Sequence, residues 1–242
     1  VESAPRALPP TSAFAGDTGA ADPALVGVLQ RLAAGDVGVA EVVSVLAGLR
    51  VLVPVLAELE EQGVTQAGLH VDKEASAGVV ALRVPDGRTA LPVFTGVDAM
   101  AAWRAEARPV PTAAPRAAAA ALAEGWELLV LDPAGPVTVV LPHPAVRALA
   151  TGRTWVPAVL EGSVRPEVSA AVRSALAGTP HLAGAGTVPG TRAEVAVVLE
   201  VEAGLDREAL DTLLAGVSAA LAADDVVTGE VDSLELRVVA AR

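Results

Sequence analysis

Two apolar runs that each end in a turn set the strongest limit on how this chain can fold. Residues 90–103 (ALPVFTGVDAMAAW) and 129–141 (LVLDPAGPVTVVL) both begin as strand-like stretches and break sharply, the first at Thr-Gly and the second at Asp-Pro-Ala-Gly-Pro. Short apolar runs bounded by Gly and Pro read as buried strands rather than helices. The first run belongs to a predicted hairpin, 79–84 and 89–94, around Pro85-Asp86-Gly87-Arg88, where Asp-Gly supplies the backbone freedom of a tight turn. The second is itself a hairpin, 127–131 and 137–141, joined through residues 132–136.

Helical patterns surround these hairpins. Asp22 can cap a helix that has Pro23 in its first turn, Leu25, Val28, Leu29 and Leu32 on one stripe, and Gly35 at its end. A short helix over 39–46 follows, then a buried strand over 51–56. Pro54 cannot donate to a ladder, so it belongs at an edge, a bulge or a strand end. Helices are predicted over 97–106, 115–124 and 144–150, the first two separated by the extended Arg-Pro-Val-Pro-Thr segment. Residues 1–21 lack the apolar surface to offset ordering entropy and are expected to form a disordered tail.

The pattern restarts after a linker placed within 157–165. Pro166 opens a helix with Val168, Val172 and Leu176 inward, and two strands, 182–188 and 194–202, flank Pro189-Gly190. In the second strand Val195, Val197, Leu199 and Val201 alternate against a mostly polar face. Asp206 caps a helix with Leu210, Leu213, Leu214, Val217 and Leu221 buried, and Leu234, Leu236 and Val238 make a last half-buried strand. The expected architecture is α+β: two small domains over 22–157 and 166–242, each a mixed or antiparallel sheet packed by helices, the second in the order α-β-β-α-β.

Composition removes several functions. With 52% apolar and 19% charged residues the chain is globular, and the absence of Ile, Asn, Tyr and Cys beside a single Lys reads as a GC-rich coding bias. A net charge of −12 with no basic track and no aromatic platform excludes nucleic acid as a partner. Every apolar stretch is interrupted well before the ~20 residues a spanning helix needs, so no membrane partner is expected. Without Cys, and without a basic stretch leading into an apolar one, an intracellular protein is the default; Val1 indicates a trimmed fragment or a GTG start.

Catalytic motifs are missing. Gly184, Gly186 and Gly190 are spaced like a dinucleotide loop but lead into a strand, not a helix, so they read as turn and strand glycines and no cofactor is expected. His70, His143 and His181 are scattered singletons, which argues against zinc, and Gly162-Ser163 lacks a nucleophile-elbow context. Asp224, Asp225, Glu230, Asp232 and Glu235 lack calcium-loop spacing and read as a solvated rim. Trp126 and Trp155 read as core. Trp103 has two readings, packing against the first hairpin or anchoring a contact surface with Arg104 and Arg108 beside the extended Pro109-Val110-Pro111.

Taken in series, LPVFTG at 91–96, Trp103, Arg-Pro-Val-Pro at 108–111, LDPAGP at 131–136 and ALATGRTWVP at 148–157 resemble the N-terminal domain of the SseB family, the enhanced serine sensitivity proteins. The resemblance covers residues 22–157, and residues 166–239 are similar in element order to the C-terminal domain that many members carry. It implies a cytoplasmic bacterial protein, associated by name with serine sensitivity, and it brings neither an established reaction nor catalytic residues. Two functions follow as expectations. The favoured one is a non-enzymatic binding or regulatory module whose partner is a protein, a small molecule or a second copy of the chain. The alternative is an enzyme acting on a small polar metabolite through Asp, Arg, Ser and Thr groups assembled by the fold, which the absence of a His, Cys or Lys signature disfavours.

Overall fold

The computed structural model describes residues 14–56, 70–72 and 78–241, the middle segment by its backbone alone. The side chain of His70 and residues 1–13 of the expected tail therefore lie outside the described residues. The chain divides into two compact units, 1–154 and 155–242. Helices and mixed sheets occur in both, so the class is α+β.

The first unit runs α1 (Pro23–Ala34), α2 (Val39–Leu46), β1 (Arg50–Val55), β2 (His70–Asp72), β3 (Ala81–Arg83), β4 (Thr89–Val93), α3 (Val97–Trp103), β5 (Arg108–Ala113), α4 (Ala114–Ala123), β6 (Leu128–Leu131), β7 (Val139–Leu141) and α5 (His143–Ala150). Helix α1 begins as its sequence predicts, with the Asp22 carboxylate accepting from the Ala24 amide at 2.8 Å. Strands β2-β3-β4-β6-β7 form one sheet in that order, antiparallel except for the parallel pair β4 and β6. A parallel pair needs a crossover, and α3, β5 and α4 supply it. All four residues of β6 are buried, as expected of a central strand covered on both faces. Trp126 is buried too, as its sequence position indicates.

Prolines decide where the ladders stop. Leu52 exchanges two 2.9 Å backbone hydrogen bonds with Phe94, so the even-numbered residues of β1 face β4. Pro54 is the next residue on that edge and has no N–H, and the β1–β4 pairing is an isolated bridge. On its other side β1 pairs fully with β5. The Ala114 amide donates to Leu49 at 2.9 Å, which fixes the parity of β5 and points Pro109 and Pro111 toward its outer edge. That edge has lost two donors, which blunts it against strand addition. The strand itself falls in a segment that the sequence marks only as extended, and α3 ends three residues before the predicted limit, where Arg104 turns to the extended conformation that leads into β5.

The second unit contains a short hairpin, β8 (Val159–Leu160) and β9 (Ser163–Val164), then α6 (Pro166–Ala175), β10 (Leu182–Pro189), β11 (Val195–Val201), α7 (Arg207–Ala222), α8 (Asp225–Glu230) and β12 (Leu234–Ala240). The stretch 157–165, expected as a linker, is thus a hairpin, and Ala158 beside it is wholly buried with Val168, Val195 and Val231. Strand β11 lies centrally, antiparallel to β10 and parallel to β12. Its predicted inward set, Val195, Val197, Leu199 and Val201, is buried, and Val172, Leu213, Val217 and Leu221 pack with most of it. Trp155 is half-buried rather than core.

The acidic segment departs most from its sequence reading. Asp224 caps α8, its carboxylate accepting from the Val226 and Val227 amides at 2.9 Å, and Glu230 pairs with Arg165 at 3.1 Å. In β12 Leu234 and Leu236 are half-buried against the core as expected, but Val238 is 45% exposed and Glu235, read as part of a solvated rim, is buried. The reason is a set of donors: Glu235 accepts from the Thr191 amide at 2.9 Å, from Arg192 Nε at 3.1 Å and from the Arg237 guanidinium. The Thr191 N–H and then the two guanidiniums hold its carboxyl down at about 2.

A depressed acid stabilises the fold above its unfolded pKa, and the contribution disappears as pH falls through the folded value. Glu235→Gln should therefore flatten the acid limb of the stability profile between the ordinary glutamate range and about 2. Denaturant titrations of both proteins across that range check this, and parallel profiles contradict it.

Candidate functional site

Strands β4 and β6 run parallel side by side, so their chains leave the sheet at the same end. In sheets of this kind ligand crevices form beyond the carboxyl ends of parallel strands. Here β4 leads through Thr95-Gly96 into α3, and β6 leads through residues 132–137 toward β7. The two stretches that dominate the sequence therefore meet in space.

Asp132 joins them. It is 5% exposed and has a φ of 49°, a left-handed conformation that Asp tolerates better than most residues. Its Oδ1 accepts from the Thr95 amide at 2.9 Å and its Oδ2 from the Thr95 hydroxyl at 2.8 Å. Its backbone carbonyl accepts from the Gly135 amide at 2.9 Å and the Thr138 hydroxyl at 2.8 Å. The loop is so tight that a Cβ on Gly135 would sit 2.9 Å from the Asp132 Cβ. Burial pushes the Asp132 carboxyl above the ordinary aspartate value, and the two bonds from Thr95 oppose that shift only in part.

A third segment, 17–21, closes on the first turn. Gly19 is buried and its carbonyl accepts from the Val97 amide at 2.8 Å, in contrast to the disordered tail expected there. Arg50 holds the segment, with Nε 2.7 Å from Asp17 and further bonds to the carbonyls of Ala20 and Thr95. The Arg50 guanidinium beside Asp17 lowers that carboxyl's pKa. The crossing requires Gly96: a Cβ there would lie 2.8 Å from the Ala21 nitrogen.

These pieces surround a cavity of ≈ 440 Å³. Val26 and Leu29 of α1, Val97 and Ala99 of α3, and Val137 give it apolar walls, while Gln30, Thr95, Asp98 and Asp132 supply polar groups. A second hollow of ≈ 550 Å³ lies in the other unit beside the start of α7, lined in part by His181, Asp206, Glu208 and Thr212. All four of those side chains are exposed, whereas the first cavity has the buried Thr95 and Asp132 in its wall. His181 itself pairs through Nδ1 with Glu202 at 3.1 Å, both exposed. Among the described residues no three His, Cys, Asp or Glu side chains are grouped to hold a metal ion, and no helix is long and apolar enough to cross a membrane. Gly184 and Gly186 lie within β10, not ahead of a helix.

The proposed contact residues are brought together in part. Trp103 is half-buried, its ring centroid 5.3 Å from that of Phe94, and it packs against both the Leu52-Phe94-Met100 cluster and the Leu82-Leu128-Val130 cluster. Arg104 lies over the same ring with Cζ 5.1 Å from its centroid, and Arg108 is exposed on β5. Trp103 thus serves the fold, whatever Arg104 and Arg108 meet. Sequence reasoning did not single out Asp132 or Thr95, although Asp-Pro after a buried strand is a signal for a fixed turn.

The model of the SseB protein N-terminal domain matches residues 25–148, just over half of the chain, and the chain belongs to the SseB family. The match contains α1 from Leu25 onward, both turns and α3, hence most of the cavity wall. No curated protein and no solved structure matches the chain.

Asp132→Ala should cost about 2 to 4 kcal/mol, because it leaves the buried Thr95 N–H and O–H without acceptors and places Ala at positive φ. Asp132→Asn, which keeps an acceptor and the left-handed preference, should lose about 1 kcal/mol or less. A raised acid favours folding at low pH, so the wild-type advantage at this residue should shrink as pH rises past the ordinary aspartate range, and Asn should abolish that trend. Urea unfolding at several pH values measures all three. Trp103→Ala should cost about 3 kcal/mol, whereas Arg104→Ala should stay within about 1 kcal/mol.

Proposed function

We propose that this SseB family chain is a non-enzymatic binding or regulatory protein whose first unit receives a small molecule in the crevice between residues 95–96 and 132–137. One observation carries the reading: the crevice has the size and the mixed lining of a ligand site, and its buried carboxyl is fixed in place by two hydrogen bonds. Sites for small molecules are concave, largely apolar and furnished with a few fixed polar groups, and ≈ 440 Å³ with Asp132 and Thr95 in the wall fits that description. Acid–base or nucleophilic catalysis needs a group free to take a proton or attack. Among the described residues no His, Lys, Arg or Ser lines the cavity to act with Asp132, whose two oxygens are held in place by Thr95.

The enzyme alternative calls for Asp and Arg converging on one substrate. Arg50 stands beside the crevice, but its guanidinium is spent on Asp17 and two carbonyls. A cytoplasmic location and an SseB-type C-terminal domain over 166–242 belong to the same reading, supported by the family and by element order. For a protein partner or a second copy, the surface offered is Arg104 and Arg108, with Trp103 as the platform beneath Arg104.

The test is extraction of small molecules from natively purified full-length chain, alongside Ala102→Trp. Ala102 is an exposed helical residue on the cavity wall, so an indole there fills the space without disturbing the core. The expected outcome is a co-purifying molecule that the variant loses. A molecule retained by Ala102→Trp, or a chain that binds nothing from a metabolite thermal-shift panel, would overturn the reading. Turnover abolished by Asp132→Asn would favour the enzyme instead.

A further inference from the structure

We infer that the crevice of the first unit takes a small molecule with an apolar body and an organic ammonium group. This rests on the crevice being the ligand site proposed above and adds the chemical class. Among the described residues the ionisable groups in its lining are two carboxyls, Asp98 and Asp132, with no Arg, Lys or His beside them. Several of the donors that an anion could use are already committed, though the Gln30 side-chain amide is not among them. The Thr95 amide and hydroxyl go to Asp132, the Val97 amide to Gly19, the Gly135 amide to Asp132, and the Arg50 guanidinium to Asp17 and two carbonyls. An anionic ligand would meet like charge from Asp98 and Asp132 with no cationic side chain among the described residues of the lining.

Acceptor capacity remains. An ionised carboxylate offers about four acceptor positions, and Thr95 occupies one on each Asp132 oxygen. Both of those donors are neutral groups, so the buried charge lacks a counter-ion, consistent with the upward push that burial gives this carboxyl. An ammonium would provide the missing charge. Asp98, exposed at the start of α3, can meet the same group at the entrance. Val26 and Val97, 38% and 37% exposed, are two large apolar side chains left open on this wall, and an alkyl body would cover them. The net charge of −12 raises the local concentration of cations around the whole chain.

Three probes of nearly equal shape separate the possibilities: n-butylammonium, 1-butanol and butyrate, titrated into the full-length chain and followed by amide shifts in NMR spectra. Butylammonium should shift the amides of Thr95, Asp98 and Gly135 and bind about tenfold or more tightly than butanol, while butyrate should leave them unmoved. Asp132→Asn and Asp98→Asn should each cut the ammonium affinity severalfold relative to that of butanol; Asp98, being exposed, keeps the test sound if the buried variant folds poorly. Butanol or butyrate binding as well as the ammonium, or ammonium selectivity that survives both substitutions, would overturn the charge class while the crevice stands as a site. Crevice amides that respond to none of the three would remove both the class and the binding reading beneath it.

Discussion

The hydrogen-bonded clamp between Asp132 and Thr95 is the constraint on which the first unit depends. Two parallel strands can sit side by side and still release their chains in any direction; the clamp fixes both exits at once, because one carboxylate takes the amide and the hydroxyl of the same residue. Helix α3 then starts in a set direction, α1 faces it across the cavity, and the segment around Gly19 has a fixed surface on which to lie. Burying a carboxyl on neutral donors is unfavourable for its charge. That cost is tolerated where geometry is worth more than stability, which is the usual condition of a binding site.

Carboxylates perform comparable work elsewhere. Asp17 ties the 17–21 segment through Arg50, and Glu194 accepts from the Ala158 amide at 3.0 Å and the Asp232 amide at 2.8 Å, joining two connections to the start of β11. Glu235 gathers Thr191, Arg192 and Arg237. A chain without Cys, and with 2% aromatic residues, has no disulfides and few large rings with which to pin its loops. Carboxylates that accept backbone N–H bonds do so instead. Part of the acidity that composition presents as solubility is therefore structural.

Prolines supply a second kind of control. Pro54 interrupts the β1–β4 ladder after one bridge, while Pro109 and Pro111 strip donors from the outer edge of β5. The same chemical fact, a missing N–H, limits pairing on one side of β1 and protects the strand that completes the other. The exposed surface near Arg104 and Arg108 accordingly offers side chains rather than a free strand edge to whatever it meets.

Much of the local structure was legible in the sequence because its causes lie within a few residues. The Asp22 and Asp206 caps, the Asp86-Gly87 turn and the alternation of Val195, Val197, Leu199 and Val201 each depend on neighbours along the chain. The site was not legible in that way. Thr95 and Asp132 are 37 residues apart, and two of the three residues that donate to Glu235 lie 43 and 44 residues away, distances at which no periodicity or spacing rule operates. Sequence alone could mark both turns as turns and read the Asp224–Glu235 segment as solvated acid. Only the packing of the strands could decide that the turns meet around a cavity, that Glu235 is buried while Val238 is exposed, and that β5 is a strand, because each is settled by which distant donor or ladder edge the fold brings within reach.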